Sequence, residues 1–119
     1  SSDLITMKFT ELTHNISNNI KTIRQNSPET MKNFNALAQS SMKEGVIDAK
    51  TKELIALAIG VANRCDGCIG FHTRSLVKMG MTLEELNEVL SVAVYMGGGP
   101  SLMYAANAIE AFEEFNQNQ

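Results

Sequence analysis

A chain of 119 residues with 44% apolar content, 6% aromatics and no tryptophan suits one compact domain with an aliphatic core. Seven Met and many Ala, against eight Gly and two Pro, exclude the turn-rich pattern of an all-β protein and favour packed helices. A net charge of −3, with no basic cluster beyond Lys50 and Lys52, excludes nucleic acid as an expected partner.

The first helix is predicted over Thr6 to Gln25, with Phe9, Leu12, Ile16, Ile20 and Ile23 on one stripe. Ser27 as N-cap and Pro28 at the first helical position open the second helix. It should run to about Glu44, bury Met31, Phe34, Leu37 and Ala38, and stop at Gly45. Asp48 caps a third helix whose run Leu54 to Ala62 is nearly all apolar, a pattern that predicts burial on all sides. The fourth helix starts near Asp66 and ends at Gly80. Thr82 and Glu85 form a capping box for the fifth, which carries Leu86, Val89, Leu90, Ala93 and Val94. Gly97 to Gly99 break it by a tight turn that lets helices approach closely, and Pro100 begins a sixth. The tail from Asn116 to Gln119 reads as disordered. The result is an all-α chain of about six helices, a single domain over residues 1–119, with no strand, linker or repeat.

The longest apolar stretch, Val89 to Met96, carries Ser91 and is far too short to span a bilayer. No charged-then-apolar signal segment opens the chain, so no membrane partner is expected and the protein reads as cytoplasmic. In that compartment a stable structural disulfide is unexpected, and a Cys pair is more often catalytic or metal-binding.

The chain has two cysteines, in Cys65-Asp66-Gly67-Cys68, followed four residues later by His72. Two residues between thiols is the spacing of redox dithiols and also half of a tetrahedral zinc site. Cys68 falls in the first turn of the fourth helix, where unpaired N–H groups and the helix dipole stabilise a thiolate. His72 lies one turn on, so a general base shares a face with a candidate nucleophile. A neutral imidazole needs a partner to fix its tautomer, and Glu53, read as an acid in the first turn of the third helix, is the candidate. A zinc site needs about four ligands. Cys65, Cys68 and His72 supply three, and His14 lies on a distant helix, so neither a metal nor a cofactor is assigned. Tyr95 and Tyr104 read as interface or core-edge residues rather than site donors.

The run Lys52 to Ala58, the run Cys65 to His72 and the segment Met79 to Leu86 resemble the AhpD-like alkylhydroperoxidase branch of the carboxymuconolactone decarboxylase superfamily. The resemblance is specific from about Asp48 to Val94. It implies an all-helical fold and a thiol-dependent peroxidase or disulfide oxidoreductase in antioxidant defence. Cys68 would be the reactive thiol, Cys65 would resolve it, and Glu53 and His72 would form the proton relay. The better-studied relatives often carry a second His just before the second Cys, where this chain has Gly67. Implied partners are a hydroperoxide or a protein disulfide as substrate, an external dithiol as reductant, and a peroxiredoxin in the second case. The apolar faces of the third and fifth helices exceed what a small chain can enclose, which predicts a homo-oligomer. The resemblance sharpens that to a hexamer, a trimer of dimers. Two other functions stay open. One is a non-redox enzyme of the same superfamily acting on a small lactone or acid with His72 as base, although its decarboxylases generally lack the Cys pair. The other is a helical oligomer that senses redox state without turnover.

Overall fold

Residues 7–117 are described by a computed structural model, and they form six helices with no strand among them. In chain order these are α1 (Lys8–Asn26), α2 (Pro28–Met42), α3 (Ala49–Ala62), α4 (Asp66–Lys78), α5 (Leu83–Gly97) and α6 (Gly99–Gln117). Of the residues expected at the ends, Thr6, Asn118 and Gln119 lie outside the described part. Asn116 and Gln117, read as disordered, continue α6 instead.

Local chemistry accounts for most of the boundaries. Asp48 accepts from Thr51 N at 2.7 Å and starts α3, and that bond holds the Asp48 carboxyl below its usual range. Thr82 and Glu85 close their capping box in both directions, at 3.1 and 2.8 Å. The backbone N–H of Thr82, then Lys50, holds Glu85 below its usual range. Lys50 lies 3.0 Å from Glu85 and ties α3 to α5, while Lys52 donates to the Ser41 and Lys43 carbonyls at the end of α2. The two lysines are thus occupied within the fold. Ser27 does sit at the N-cap of α2 with Pro28 after it, but its side chain makes no capping bond. At the α5–α6 corner Gly98 has φ 75°, and a Cβ on Gly97 would overlap Ser101 Oγ, so this turn requires its glycines.

α4 is the hub and packs against α1, α3 and α6, while α5 closes over α3 and α6. The core is aliphatic at its centre, from Leu57, Val61, Ile69, Leu76, Leu86 and Leu90, with small alanines of α6 letting that helix approach. Phe9, Phe112 and Phe115 fill the end where α1 meets α6.

Two burial expectations are corrected. α2 buries none of its residues: Met31 is half-buried, Ala38 is exposed, and Phe34 and Leu37 are each 61% exposed. Among the described residues the helix leans only on α1 and α3, and no second layer covers its apolar stripe. α3 is not enclosed either, because its neighbours cover one side and leave Ile55 and Ile59 outward. The stripe of α1 is likewise buried only at its start, from Phe9, and is exposed by Ile23. A second open apolar area is a groove of about 610 Å³ between α5 and α6, lined by Leu90, Val94, Tyr95, Leu102, Met103 and Ile109 among others.

One buried charge organises the α1 end. Glu114 of α6 is 3% exposed and accepts from Phe9 N at 3.2 Å and Thr10 N at 2.7 Å. A carboxylate from another helix thereby satisfies two of the unpaired N–H groups that open α1, where Met7 provides no side-chain cap. Hydrogen bonds to a charged group contribute about 1.5–3 kcal/mol. Glu114→Gln is therefore expected to destabilise the protein by about 1–3 kcal/mol in urea unfolding, while Glu113→Gln on the exposed side of the same helix stays within about 0.5 kcal/mol. Equal effects of the two would show that the buried cap contributes nothing.

Candidate thiol site

The site is built on the corner between α3 and α4. Asn63 ends α3, Arg64 takes φ 58°, and Cys65 is already the N-cap of α4. Arg64 N donates to Val61 O and Cys65 N to Gly60 O, at 3.1 and 3.0 Å. That pair of bonds is the Schellman pattern, which normally places glycine in the left-handed position. The end of α4 shows the same pattern with the expected residue: Gly80 at φ 82°, with Gly80 N bonded to Val77 O and Met81 N to Leu76 O. A left-handed conformation costs a residue with a Cβ roughly 1–2 kcal/mol.

Cys65 and Cys68 are joined in a disulfide, with Cα atoms 5.2 Å apart. Cys68 is the third residue of α4, so it falls in the first turn as the sequence suggests. Its N–H donates to Cys65 Sγ at 3.1 Å, which makes the first sulfur the cap acceptor of the helix that carries the second. Both cysteines are half-buried.

One turn further on, His72 Nδ1 lies 2.6 Å from Glu53 Oε2. Their side chains are 31% and 15% exposed. A carboxylate at Nδ1 accepts the proton carried there and orients the ring, with Nε2 on its far side. Glu53 stands in the second turn of α3 rather than the first, because Asp48 caps the helix five residues earlier. The sequence reading therefore named four residues, Glu53, Cys65, Cys68 and His72, that the fold gathers at one α3–α4 contact.

It did not find the residues that allow the contact. A Cβ on Gly60 would stand 3.0 Å from Cys68 Cβ, so α3 passes against the second cysteine only because that position lacks one. A Cβ on Gly67 would stand 2.9 Å from Ile16 Cδ1, so α1 lies close against the residue before the second cysteine. Asp66 Oδ1 accepts from Asn107 Nδ2 of α6 at 3.0 Å. Gly60 and Arg64 are legible only once the helix end between them is placed, and Asn107 carries no local signal at all.

The remaining candidates lie elsewhere. His14 is exposed on α1, with Nε2 3.2 Å from Asn18 Nδ2. Tyr95 is 84% exposed on the α5–α6 groove, and Tyr104 packs against the core. Among the described residues, no three of His, Cys, Asp and Glu converge as a metal-ligand set.

With this helical frame and cysteine pair in place, the chain belongs to the carboxymuconolactone decarboxylase family, whose profile matches residues 28–111. A carboxymuconolactone decarboxylase family protein from Legionella pneumophila superposes with a TM-score of 0.91 and 56% identity, over 93% of this chain and 99% of that one. A Thermotoga maritima member, with a suggested part in antioxidative response, superposes with a TM-score of 0.77 and 30% identity, over 92% and 91%. In sequence, the chain is 39% identical to an uncharacterised protein of Cupriavidus necator over 92 residues, 77% of this chain and 81% of that one. It is also 35% identical to the alkyl hydroperoxide reductase AhpD of Coxiella burnetii over 52 residues, 44% of this chain but 29% of that enzyme.

The two Schellman corners make a paired test. Arg64→Gly is expected to raise stability by about 1 kcal/mol by relieving the left-handed residue, and Gly80→Ala to lower it by about as much. Denaturant unfolding of the disulfide form reads both. A loss of stability in Arg64→Gly would mean that the arginine side chain contributes more than its backbone costs.

Proposed function

We propose that this protein is a thiol-dependent peroxidase or disulfide oxidoreductase. The observation that carries the reading is the 2.6 Å Glu53–His72 bond one helical turn from a cysteine joined to its Cys-x-x-Cys partner. A purely structural disulfide has no use for an oriented base beside it. In the reduced state His72 takes the Cys68 thiol proton at Nε2, directly or through a water, and Glu53 steadies the imidazolium. The Cys68 thiolate attacks the distal oxygen of a hydroperoxide ROOH. The O–O bond breaks, ROH leaves with the proton from His72, and Cys68 becomes a sulfenic acid. The Cys65 thiol then attacks Cys68 Sγ, the S–O bond breaks, water leaves, and the disulfide forms. An external dithiol restores both thiols by exchange and is itself oxidised to a disulfide. The same dithiol cycle serves reduction of a protein disulfide, such as that of a peroxiredoxin. The partial likeness to AhpD and the suggested antioxidative part of the Thermotoga relative support this direction.

Peroxide consumption by the purified protein with a dithiol tests the reading. Cys68→Ser is expected to abolish turnover. Cys65→Ser should stop turnover but still form a trappable sulfenic acid at Cys68. Glu53→Gln and His72→Gln should slow the reaction by about 100- to 10,000-fold with helical circular dichroism intact. Unchanged rates in the last two would remove the relay from the mechanism, and faster alkylation of Cys65 than of Cys68 in the reduced single mutants would exchange their roles.

We also propose that the chain works as a homo-oligomer, a hexamer by analogy with the superfamily. The reading is supported by the outward Phe34, Leu37, Ile55 and Ile59 and the open α5–α6 groove, apolar faces for which a partner copy is the simplest cover. Light scattering at micromolar concentration should give six times 13.0 kDa. A mass of 13.0 kDa would refute assembly, and a stable dimer would refute the hexamer alone.

A further inference from the structure

Asp66 has no part in the steps above, yet it stands between the two cysteines as the first residue of α4. Its carboxylate does not swing freely. Oδ1 accepts from Asn107 Nδ2 of α6 at 3.0 Å, in a half-buried position. Two opposite influences therefore meet at this turn. The N-terminal N–H groups of α4 stabilise negative charge, and one of them, Cys68 N, already points at Cys65 Sγ. A carboxylate fixed on the residue between the two cysteines opposes negative charge on them. The other charged side chains on the elements meeting here are few. Glu53 of α3 is bonded to His72. Glu110 lies one turn beyond Asn107 on α6, and Arg64 is on the exposed preceding turn, where water screens it. α1 brings the apolar Ile16.

We propose that Asp66, held in place by Asn107, tunes the acidity of the dithiol: its carboxylate keeps the thiols from acidifying as far as a bare helix N-terminus would drive them. The inference rests on the reading of Cys65 and Cys68 as a working redox pair and specifies which way that pair is biased. Intrinsic nucleophilicity falls as a thiol becomes more acidic, and a stabilised thiolate makes a pair more oxidising. Opposing the thiolate does the reverse on both counts. The dithiol is thereby set as a reductant of its substrate, and it must be recharged by a dithiol couple of lower potential still. Asn107 is a positioning residue in this scheme, because without its amide the carboxylate moves out to water and is screened.

The test is titration of the reduced full-length protein, followed by thiolate ultraviolet absorbance. Two coupled thiols titrate as a pair, so the lower midpoint of the pair is compared. Asp66→Asn is expected to lower it by about one pH unit, a roughly tenfold gain in thiolate below the midpoint, as the loss of one nearby charge supplies. Asn107→Ala should lower it by less, and Glu113→Gln on α6 should leave it unchanged. Above the midpoint, the exchange equilibrium with glutathione should move about tenfold toward the dithiol in Asp66→Asn, about 30 mV for a two-electron couple. An unchanged or raised midpoint in Asp66→Asn overturns the proposal. If that variant does not fold, Asn107→Ala decides alone, and an unchanged or raised midpoint there overturns it equally. None of these readings consumes peroxide. Thiols that titrate as expected in a protein without turnover would sink the peroxidase reading and leave the tuning role standing.

Discussion

Everything at the thiol site depends on one residue belonging to two helices. The N–H of Cys65 closes the C-terminal turn of α3, and its sulfur receives the N–H that opens α4. Arg64 is the single residue that reverses the chain between Asn63 and this point. No slack remains in the corner, so the relative placement of α3 and α4 is fixed by backbone geometry. That placement brings Glu53 and His72, 19 residues apart, within 2.6 Å. The absent side chain of Gly60 sets how closely the two helices lie at Cys68. The Cys65–Cys68 disulfide and the Glu53–His72 bond are thus consequences of one corner, and side-chain packing elsewhere only has to preserve it.

The hub position of α4 serves that end. Ile69, Leu76 and Val77 are buried on its inner faces, and Gly70 admits Thr13 and Phe9 of α1 at close range. A cysteine carried on a helix packed between three others inherits their rigidity, whereas one on a peripheral loop would not. The buried Glu114 extends the same logic to α1, which covers the start of α4 through Ile16 and is itself anchored to α6.

The sequence disclosed what is written locally. The order of helices, the caps at Asp48 and Thr82, the breaks at Gly80 and Gly98, and the Cys-x-x-Cys with His one turn on all follow from patterns within a few residues. Glu53 is within reach as an acid near the start of the apolar third helix, although it stands one turn later than the sequence suggests. What stayed hidden depends on which surfaces meet. The apolar stripe of α2 looks like that of a core helix, and nothing in its residues reveals that, among the described residues, only α1 and α3 stand beside it. Leu54 to Ala62 is apolar all round, but composition does not say that one side lacks a cover. Glu114 and Asn107 look like ordinary polar positions on a terminal helix until α1 and α4 arrive opposite them. Arg64 is hidden for a different reason, since its sequence runs against the glycine rule that its backbone obeys.

The bareness of α2 also bears on how the molecule breathes. A helix of 15 residues with nothing buried is near the length at which isolated helices are marginal in water. Its amide protons should exchange through local opening, at free energies well below those of α4, and a protease should find it before any other helix. The Lys52 ammonium, bonded to two carbonyls at the end of α2, is then the latch that holds this segment to α3 one turn-length from the Glu53 carboxylate's own helix start. Opening α2 then gives up only its packing on α1 and α3 and this latch, and leaves the buried core in place.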